Sequence, residues 1–296
     1  MSENNKIERL EDLFSLMERA SNSGNEPERV RLLLEYFVVD ARITQHPGDP
    51  FSAAYRDWVL NCHHTISGRS AYDPVRDEKI DIDPIMRAKR PGIYNDGGSH
   101  HLGTFLEAIG QIFQTANIQP GAKVLEYGPG DGQIAVNLAR MGCDVTVVDI
   151  EPKYLDTILI QASHYGVPIK TVEGDFLTEL KGEFDLIVFF ETFHHCLDHL
   201  LLLESMQKNL SAEGRILFAG EPIIPSGSPW APAVPFPWGL RLDALSLSAV
   251  KNYGWMELGF QEKYFEDALA RTGWKSEKFE SRTNGRASGY LARRFG

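Results

Sequence analysis

The sequence predicts an α/β fold with a doubly wound, Rossmann-like and mostly parallel sheet. Short apolar or β-branched runs at 123–126, 144–148, 169–172 and 184–190 alternate with helical patterns. Strands separated by helices of about 10–15 residues require crossover connections, which place helices on both faces of a parallel sheet. The run at 184–190 is apolar at nearly every position, which is typical of a strand buried on both faces.

Composition restricts the class of protein. The chain has 296 residues, 43% hydrophobic and 24% charged, which is the composition of one or two globular domains rather than a disordered chain. The net charge of −11 disfavours nucleic acid as a partner. There is no apolar run long enough for a membrane span and no secretory signal, and three cysteines are too few for a disulfide framework. We therefore predict a cytoplasmic protein.

We predict an N-terminal helical cap and connector over residues 1–118 and a second domain over 119–296. Residues 69–98 are rich in proline and glycine and predict an irregular connector, which is followed by a helix through 102–113 capped by Ser99. Apolar residues at helical spacing predict two helices in the cap, with stripes formed by Ile7, Leu10, Phe14 and Met17 and by Val30, Leu33, Leu34, Phe37 and Val38.

A segment rich in proline and aromatic residues interrupts the alternation at about 222–258. Residues 222–239 contain six prolines, two tryptophans and Phe236, so we expect side-chain packing rather than strand pairing to order them. Long ordered loops are often functional, which predicts a lid over the acceptor site. A packing flap or a dimer contact is the alternative. Glu221, at the start, is placed to bind a substrate hydroxyl or to pair with Arg241.

A glycine-rich loop carries the clearest chemical signal. It follows the first predicted strand and contains Gly128, Gly130 and Gly132, which allow sharp turns and a close approach of the backbone to a ligand. The next strand ends at Asp149, where a carboxylate is placed to accept hydrogen bonds from a ribose diol. Asp175 follows the third strand, at the same predicted sheet edge.

These motifs, taken in order, resemble those of class I S-adenosylmethionine-dependent methyltransferases over about residues 119–221. The resemblance implies S-adenosyl-L-methionine as cofactor, with Glu126 and the glycine loop at its methionine part. A carboxylate beside the loop suits a cation better than a diphosphate, so a nicotinamide cofactor is the less favoured alternative, and a plain tight turn is another. The remaining contacts that the resemblance implies are Asp149 with the ribose hydroxyls, Ile150 against the adenine, Asp175 with the adenine amine and Phe176 beside the ring.

Histidine pairs supply the candidate catalytic groups. We expect His195, and after it His194 with Glu191, to act on the acceptor, because histidine is the usual base near neutral pH. A structural role for His195 is the alternative. His100 and His101, next to Tyr94, Asn95 and Asp96, are candidates for ligand contact. The histidines lack the spacing of common zinc motifs, so we expect no metal.

The sequence thus predicts an O-methyltransferase of small molecules. The segment 191–195 and the run at 254–260 resemble methyltransferases of bacterial polysaccharide assembly, which favours a sugar or glycan intermediate as acceptor. An aromatic or other natural-product metabolite is the alternative substrate, and a non-catalytic, regulatory S-adenosylmethionine-binding protein is the alternative function. Nucleic-acid methylation is disfavoured because the motif Asn-Pro-Pro-Tyr is missing. A homodimer is compatible with the predicted cap and lid.

Overall fold

The computed structural model describes residues 6–22, 26–94 and 98–295. The chain divides into two units. One comprises residues 1–78 and 222–266, and the other comprises residues 79–221 and 267–296. The interruption predicted at 222–258 falls in the first unit, whereas its role as a lid and the boundary at 118 stay predictions. No helix of the described ranges is long and apolar enough to cross a membrane.

The α-helices of the described residues are, in chain order, α1 (Leu10–Ser21), α2 (Glu26–Leu34), α3 (Ala41–Thr44), α4 (Ala53–Ser67), α5 (Pro74–Asp77), α6 (Pro84–Lys89), α7 (Gly98–Ala116), α8 (Gln133–Met141), α9 (Pro152–Tyr165), α10 (His199–Ser205), α11 (Ala244–Tyr253) and α12 (Glu262–Arg271). The β-strands are β1 (Lys6–Ile7), β2 (Phe37–Val38), β3 (Lys123–Tyr127), β4 (Asp144–Asp149), β5 (Ile169–Glu173), β6 (Phe184–Phe190), β7 (Leu210–Ala219), β8 (Ile223–Ile224), β9 (Trp238–Leu240), β10 (Leu258–Gln261), β11 (Trp274–Phe279) and β12 (Gly289–Arg294). Short 3₁₀ turns include Gly92–Tyr94, Phe193–His195 and Gly285–Ala287.

The sheet of the second unit confirms the predicted α/β fold. Its strand order is β11-β12-β7-β6-β3-β4-β5, and the five strands from β7 to β5 are parallel, whereas β12 is antiparallel to both of its neighbours. The strand predicted from residue 214 begins earlier, at Leu210, because Leu210 pairs with Phe184 across an irregularity in the register. The carboxyl ends of β3, β4, β5 and β6 are adjacent, which brings the sequence motifs to one edge of the sheet.

The beginning of the first unit differs from the predicted helical stripes. Ile7 lies in β1 and pairs in parallel with Val38 of β2, so Ile7, Phe37 and Val38 are not helical. Helix α1 begins only at Leu10, whose N–H donates to the carboxylate of Asp40 at 3.0 Å. A helix cap that comes from a residue thirty positions away has no local sequence signal. Apolar periodicity alone therefore predicted helices that are too long.

The proline-rich segment of the first unit also differs from expectation. Strand β10 pairs in parallel with β8 and antiparallel with β9, so strand pairing orders both ends of residues 222–239. Phe236 and Trp238 are buried against the aromatic residues of α4, and the Tyr55 hydroxyl donates to the carbonyl of Trp238 at 3.0 Å. These two rings therefore belong to the core of the unit.

The connector at 69–98 is more regular than predicted. Asp73 and Asp83 each precede a proline, and each caps a short helix by accepting from backbone N–H groups two or three residues on. An aspartate cap before proline at the first helical position is a favourable helix start, which explains α5 and α6. Helix α7 begins at Gly98, so the predicted cap Ser99 lies within it, and Asn95 and Asp96 fall outside the described residues.

Candidate functional site

The three glycines of the loop between β3 and α8 meet different surroundings. All have left-handed backbones, with φ of 57° at Gly128, 50° at Gly130 and 76° at Gly132. A Cβ on Gly128 would lie 2.1 Å from the Thr192 hydroxyl, and one on Gly132 would lie 2.5 Å from Ile158. A Cβ on Gly130 meets nothing within 4 Å. Protein packing thus requires the outer glycines, whereas the middle glycine borders open space that a ligand can enter.

Glu126, the residue before the last of β3, has a buried carboxyl group. Its side chain is almost fully inaccessible, and its Oε2 has no hydrogen-bond partner among the described residues. Burial raises the pKa of Glu126 to about 8, the nearby charge of Asp149 adds to the increase, and the backbone N–H of Ala135 opposes it. An unpaired buried acceptor requires explanation, and a ligand that brings a cation or a donor would satisfy it.

Asp149 ends β4, next to the glycine loop. Its Oδ1 accepts from the Glu151 N–H at 2.8 Å, and its carbonyl accepts from the Gly174 N–H at 3.0 Å. Burial raises the pKa of Asp149 to about 7, against the lowering effect of backbone N–H groups that include those of Gly130 and Ile150. The carboxylate is therefore fixed in place within a weakly solvated region. Ile150, which follows it, is half-buried.

Asp175 and Phe176 follow β5 at the same sheet edge. Asp175 Oδ1 accepts from the Leu177 N–H at 3.0 Å and from the Thr178 hydroxyl at 3.1 Å, which is a local turn. Phe176 is half-buried, and its ring centroid lies 5.9 Å from that of Tyr127. The fold brings both residues to the predicted edge, while their contacts with an adenine stay a prediction.

A buried glutamate organises the turn that carries the second histidine pair. The carboxylate of Glu221 accepts from the backbone N–H groups of Thr192, Phe193 and His194 at 2.9, 2.9 and 3.1 Å. It also contacts His194 Nδ1 at 2.8 Å. Burial alone would raise the pKa of Glu221, but the hydrogen bonds from His194 and the backbone outweigh it and hold that pKa below its ordinary value. Glu221 is therefore an ionised, hydrogen-bonded anchor.

This contact determines which nitrogen of His194 carries the proton. An ionised carboxylate only accepts hydrogen bonds, so Nδ1 of His194 carries a proton and donates a hydrogen bond to Glu221. In the neutral form of the ring, Nε2 then holds the lone pair. The His195 ring lies beside it with a centroid separation of 4.3 Å and is half-buried. Sequence reasoning had ranked His195 first and missed the Glu221–His194 pair. The order of the strands could have indicated this pair. Glu221 follows β7 and His194 follows β6, and these two strands are parallel neighbours.

Glu191, the third predicted catalytic residue, makes an ion pair. Its Oε1 lies 2.8 Å from Nε of Arg286, in the turn between β11 and β12. Burial raises the pKa of Glu191, and the charges of Arg286 and His194 oppose that increase. Arg286 had no sequence signal, because it follows Glu191 by almost a hundred residues in a polar loop.

The other histidine pair lies on α7. His100 is exposed, and His101 is half-buried with its ring centroid 4.9 Å from that of Phe105. Contact of either residue with a ligand stays a prediction.

The whole set of groups fits the cofactor implied by the motifs. Glu126 offers a buried acceptor for an ammonium group, Asp149 offers a fixed carboxylate for a diol, and the space at Gly130 allows the approach of a ligand. A diphosphate would instead meet two buried carboxyl groups.

Comparison with known proteins gives the same family. The sequence profile of the family described as "Methyltransferase domain" matches residues 100–278, which is more than half of the chain. The chain is 27% identical over 112 residues to a ubiquinone biosynthesis O-methyltransferase of Xanthomonas axonopodis, which covers 36% of this chain and 46% of that protein. It is 29% identical over 205 residues to a ribosomal protein L11 methyltransferase of Cupriavidus metallidurans, covering 64% and 58%. The matches thus span about half the length of these curated relatives.

Solved structures show the same fold. The S-adenosylmethionine-dependent methyltransferase SibL, in its apo form, aligns over 96% of this chain and 93% of its own, with a TM-score of 0.52 and 18% identity. A putative O-methyltransferase of Nostoc punctiforme aligns over 83% and 76%, with a TM-score of 0.50 and 15% identity.

Proposed function

The chain belongs to the methyltransferase-domain family and is an S-adenosylmethionine-dependent methyltransferase, and from this premise we propose that it methylates a hydroxyl oxygen of a small molecule. The observation that carries the proposal is the hydrogen bond between His194 and the buried carboxylate of Glu221. S-Adenosylmethionine, when bound, supplies a methyl group activated by its sulfonium charge.

We propose that residues at the sheet edge hold the cofactor. Glu126 would accept from its ammonium group, which gives the unpaired Oε2 a partner, and Asp149 would accept from the ribose hydroxyls. Gly128 and Gly132 shape the loop, and Gly130 leaves space for the methionine part. The adenine contacts proposed are those of Ile150, Asp175 and Phe176.

His194 is the proposed general base. A hydroxyl oxygen that gains a methyl group must lose its proton, and Nε2 of His194, which holds the lone pair, accepts it. The resulting imidazolium keeps its Nδ1–H on Glu221, whose negative charge stabilises it. His195 shares the turn and is proposed to orient the acceptor.

The base favours a phenolic acceptor. Imidazole removes a proton more readily from a phenol, with a pKa of about 10, than from the much less acidic alcohol of a sugar. The name of the Xanthomonas relative refers to O-methylation in ubiquinone biosynthesis, which is consistent with an aromatic acceptor. Phe236 and Trp238, which lie in the segment predicted to cover the acceptor site, are core residues of their unit. A saccharide is the second candidate, on the sequence resemblance alone.

The test is transfer of label from methyl-labelled S-adenosylmethionine to 3,4-dihydroxybenzoate, with UDP-glucose as the saccharide probe. We expect His194→Asn to lower kcat/KM about 100-fold or more while the Kd of S-adenosylhomocysteine changes less than about threefold. His164→Asn, at an exposed histidine on α9, is the matched control and should leave both unchanged. Label in neither probe would overturn the proposed acceptor classes, and full activity of His194→Asn would overturn the base.

A further inference from the structure

Glu191 has an unusual backbone conformation at the point where β6 leaves the sheet. Its φ is 51°, in the left-handed region that side chains other than glycine rarely adopt. Its N–H donates to the carbonyl of Ala219 in β7 at 3.0 Å. The 3₁₀ turn Phe193–His195, called the histidine turn below, begins two residues later. The neighbouring Gly220 leaves room for this conformation, because a Cβ there would lie 2.8 Å from Cγ of Glu191. The surrounding structure therefore has to hold Glu191 in place.

Arg286 supplies a second anchor for the same residue. Its Nε contacts the Glu191 carboxylate at 2.8 Å, and its guanidinium carbon lies 4.8 Å from the centre of the Phe105 ring on α7. The Phe105 ring in turn meets Phe190, the last residue of β6, at a centroid distance of 6.2 Å. Arg286 thus links α7 to the end of β6.

The backbone of Arg286 is itself fixed. Its N–H donates to Asn284 Oδ1 at 3.1 Å, which begins the 3₁₀ turn Gly285–Ala287. Asn284 is buried, and its Nδ2 donates to the Thr104 carbonyl of α7 at 2.7 Å. A fixed turn with two attachments to α7 can hold the Arg286 side chain at a defined position.

We propose that Arg286 is a positioning residue that fixes the left-handed conformation of Glu191, and that Glu191 acts through this contact rather than as a base. The proposal rests on the proposed function of His194, because it concerns the same turn. The direction in which the chain leaves Glu191 determines where Thr192 meets Gly128 and where His194 meets Glu221. An unanchored Glu191 would relax toward extended backbone and displace the histidine from the reacting oxygen.

Three substitutions at Glu191 separate positioning from catalysis. Gln keeps the oxygen that accepts from Arg286, Gly adopts a left-handed backbone without strain, and Ala does neither. Positioning predicts that Glu191→Gln keeps at least about a third of the kcat, that Glu191→Gly loses a few-fold, and that Glu191→Ala loses at least tenfold. A base at Glu191 predicts an equally large loss in all three, which would overturn the proposal.

Arg286→Met tests the anchor itself. We expect a loss of kcat of at least tenfold, with the Kd of S-adenosylhomocysteine within about threefold, and a much smaller loss when Arg286→Met is added to Glu191→Gly. Additive losses would overturn the proposal, since the effect of Arg286 would then not pass through Glu191. Arg282→Met, at an exposed arginine nearby, is the matched control. The binding measurement shows whether Arg286→Met folds, and Glu191→Ala removes the same contact without removing the arginine.

A readout that does not need turnover separates this proposal from the proposed function. Nitrogen NMR of labelled histidines should show a changed His194 ring signal in Arg286→Met and an unchanged one in Arg282→Met. If no probe acceptor is methylated but this change is present, the positioning is supported while the proposed acceptor fails. An unchanged His194 signal in Arg286→Met would overturn the positioning whether or not the enzyme turns over.

Discussion

Two buried glutamates at the same edge of the sheet differ in what surrounds them. Glu221 accepts four hydrogen bonds from the histidine turn, and its pKa is held below the ordinary value. Glu126 has an Oε2 without a partner among the described residues, and burial raises its pKa to about 8. The described residues therefore satisfy the hydrogen bonds of the Glu221 carboxylate and leave one oxygen of Glu126 without a partner.

The number of hydrogen bonds that a buried carboxylate accepts indicates whether it has a structural role or a role in ligand binding. A carboxylate with all its hydrogen bonds fixes the geometry of its neighbours, as Glu221 does for the turn that carries His194. A carboxyl group that lacks them destabilises the folded protein until a ligand provides a donor. This difference supports the proposals that Glu221 orients His194 and that Glu126 binds the cofactor.

The largest expected effect is that of Glu221→Gln. The amide replaces one acceptor oxygen with an NH₂ group that faces N–H donors, so the unfolding free energy should fall by about 2–4 kcal/mol. We expect kcat to fall about 100-fold, because His194 loses its orienting charge. Urea unfolding and methyl-transfer kinetics measure the two effects. The control is Glu213→Gln, an exposed position on β7, and a Glu221→Gln protein that matches it in both assays would contradict the assignment.

Glu126→Gln should weaken cofactor binding without destabilising the apo protein. The Kd of S-adenosylmethionine should rise about 10- to 100-fold, because a neutral amide attracts an ammonium group less strongly than a carboxylate. The apo protein should be as stable as the parent at pH 7 or more stable, since a poorly solvated acid has been removed. Calorimetric titration and urea unfolding provide the measurements. A large loss of stability without a change in Kd would show that Glu126 is structural.

The glycine loop allows the same comparison with smaller effects. Gly132→Ala places a Cβ 2.5 Å from Ile158 and should destabilise the protein, as a packing residue does. Gly130→Ala meets open space, so its cost in stability comes from the left-handed backbone alone, about 1 kcal/mol. We expect Gly130→Ala to lower cofactor affinity more than stability and Gly132→Ala to do the reverse. Melting temperatures measure the loss of stability, and the Kd of S-adenosylhomocysteine measures the loss of affinity. If the two variants lose stability and affinity in the same proportion, the glycines do not differ in role.

The fold was predictable because its signal is local. The strands from β3 to β6 are short apolar runs between turn residues, and parallel topology then places Glu126, Asp149 and Asp175 at one edge. The hydrogen-bond partners of His194 and Glu191 were harder to predict. Glu221 reaches His194 across a strand pairing, and Arg286 reaches Glu191 from a loop almost a hundred residues away. No local period encodes such contacts.

The first unit shows the same limit. Apolar spacing placed Phe37 and Val38 in a helix, whereas they form a parallel pair with β1, the segment in which Ile7 lies. The composition of residues 222–239 predicted a lid, and it gave no indication that Phe236 and Trp238 pack in the core of their unit. Whether an aromatic ring is buried depends on residues that are distant in sequence and pack against it. The local sequence around the ring does not identify those residues.

The last prediction is a pH dependence. The folded pKa of Glu126, about 8, lies above the ordinary value of 4.5, so the folded apo protein binds more protons than the unfolded chain between these values. Its stability should therefore fall as the pH rises from about 5 to 8, and Glu126→Gln should flatten that slope. Glu221, with its pKa lowered, contributes in the opposite direction, and its stabilisation is lost only as the pH falls below 4.5 through the folded pKa. Cofactor affinity should rise a few-fold from pH 6.5 to 8.5, because the ammonium group favours ionised Glu126. Calorimetric titrations across this range measure the slope, and a slope that persists in Glu126→Gln would assign the proton to Asp149, whose pKa of about 7 is also raised.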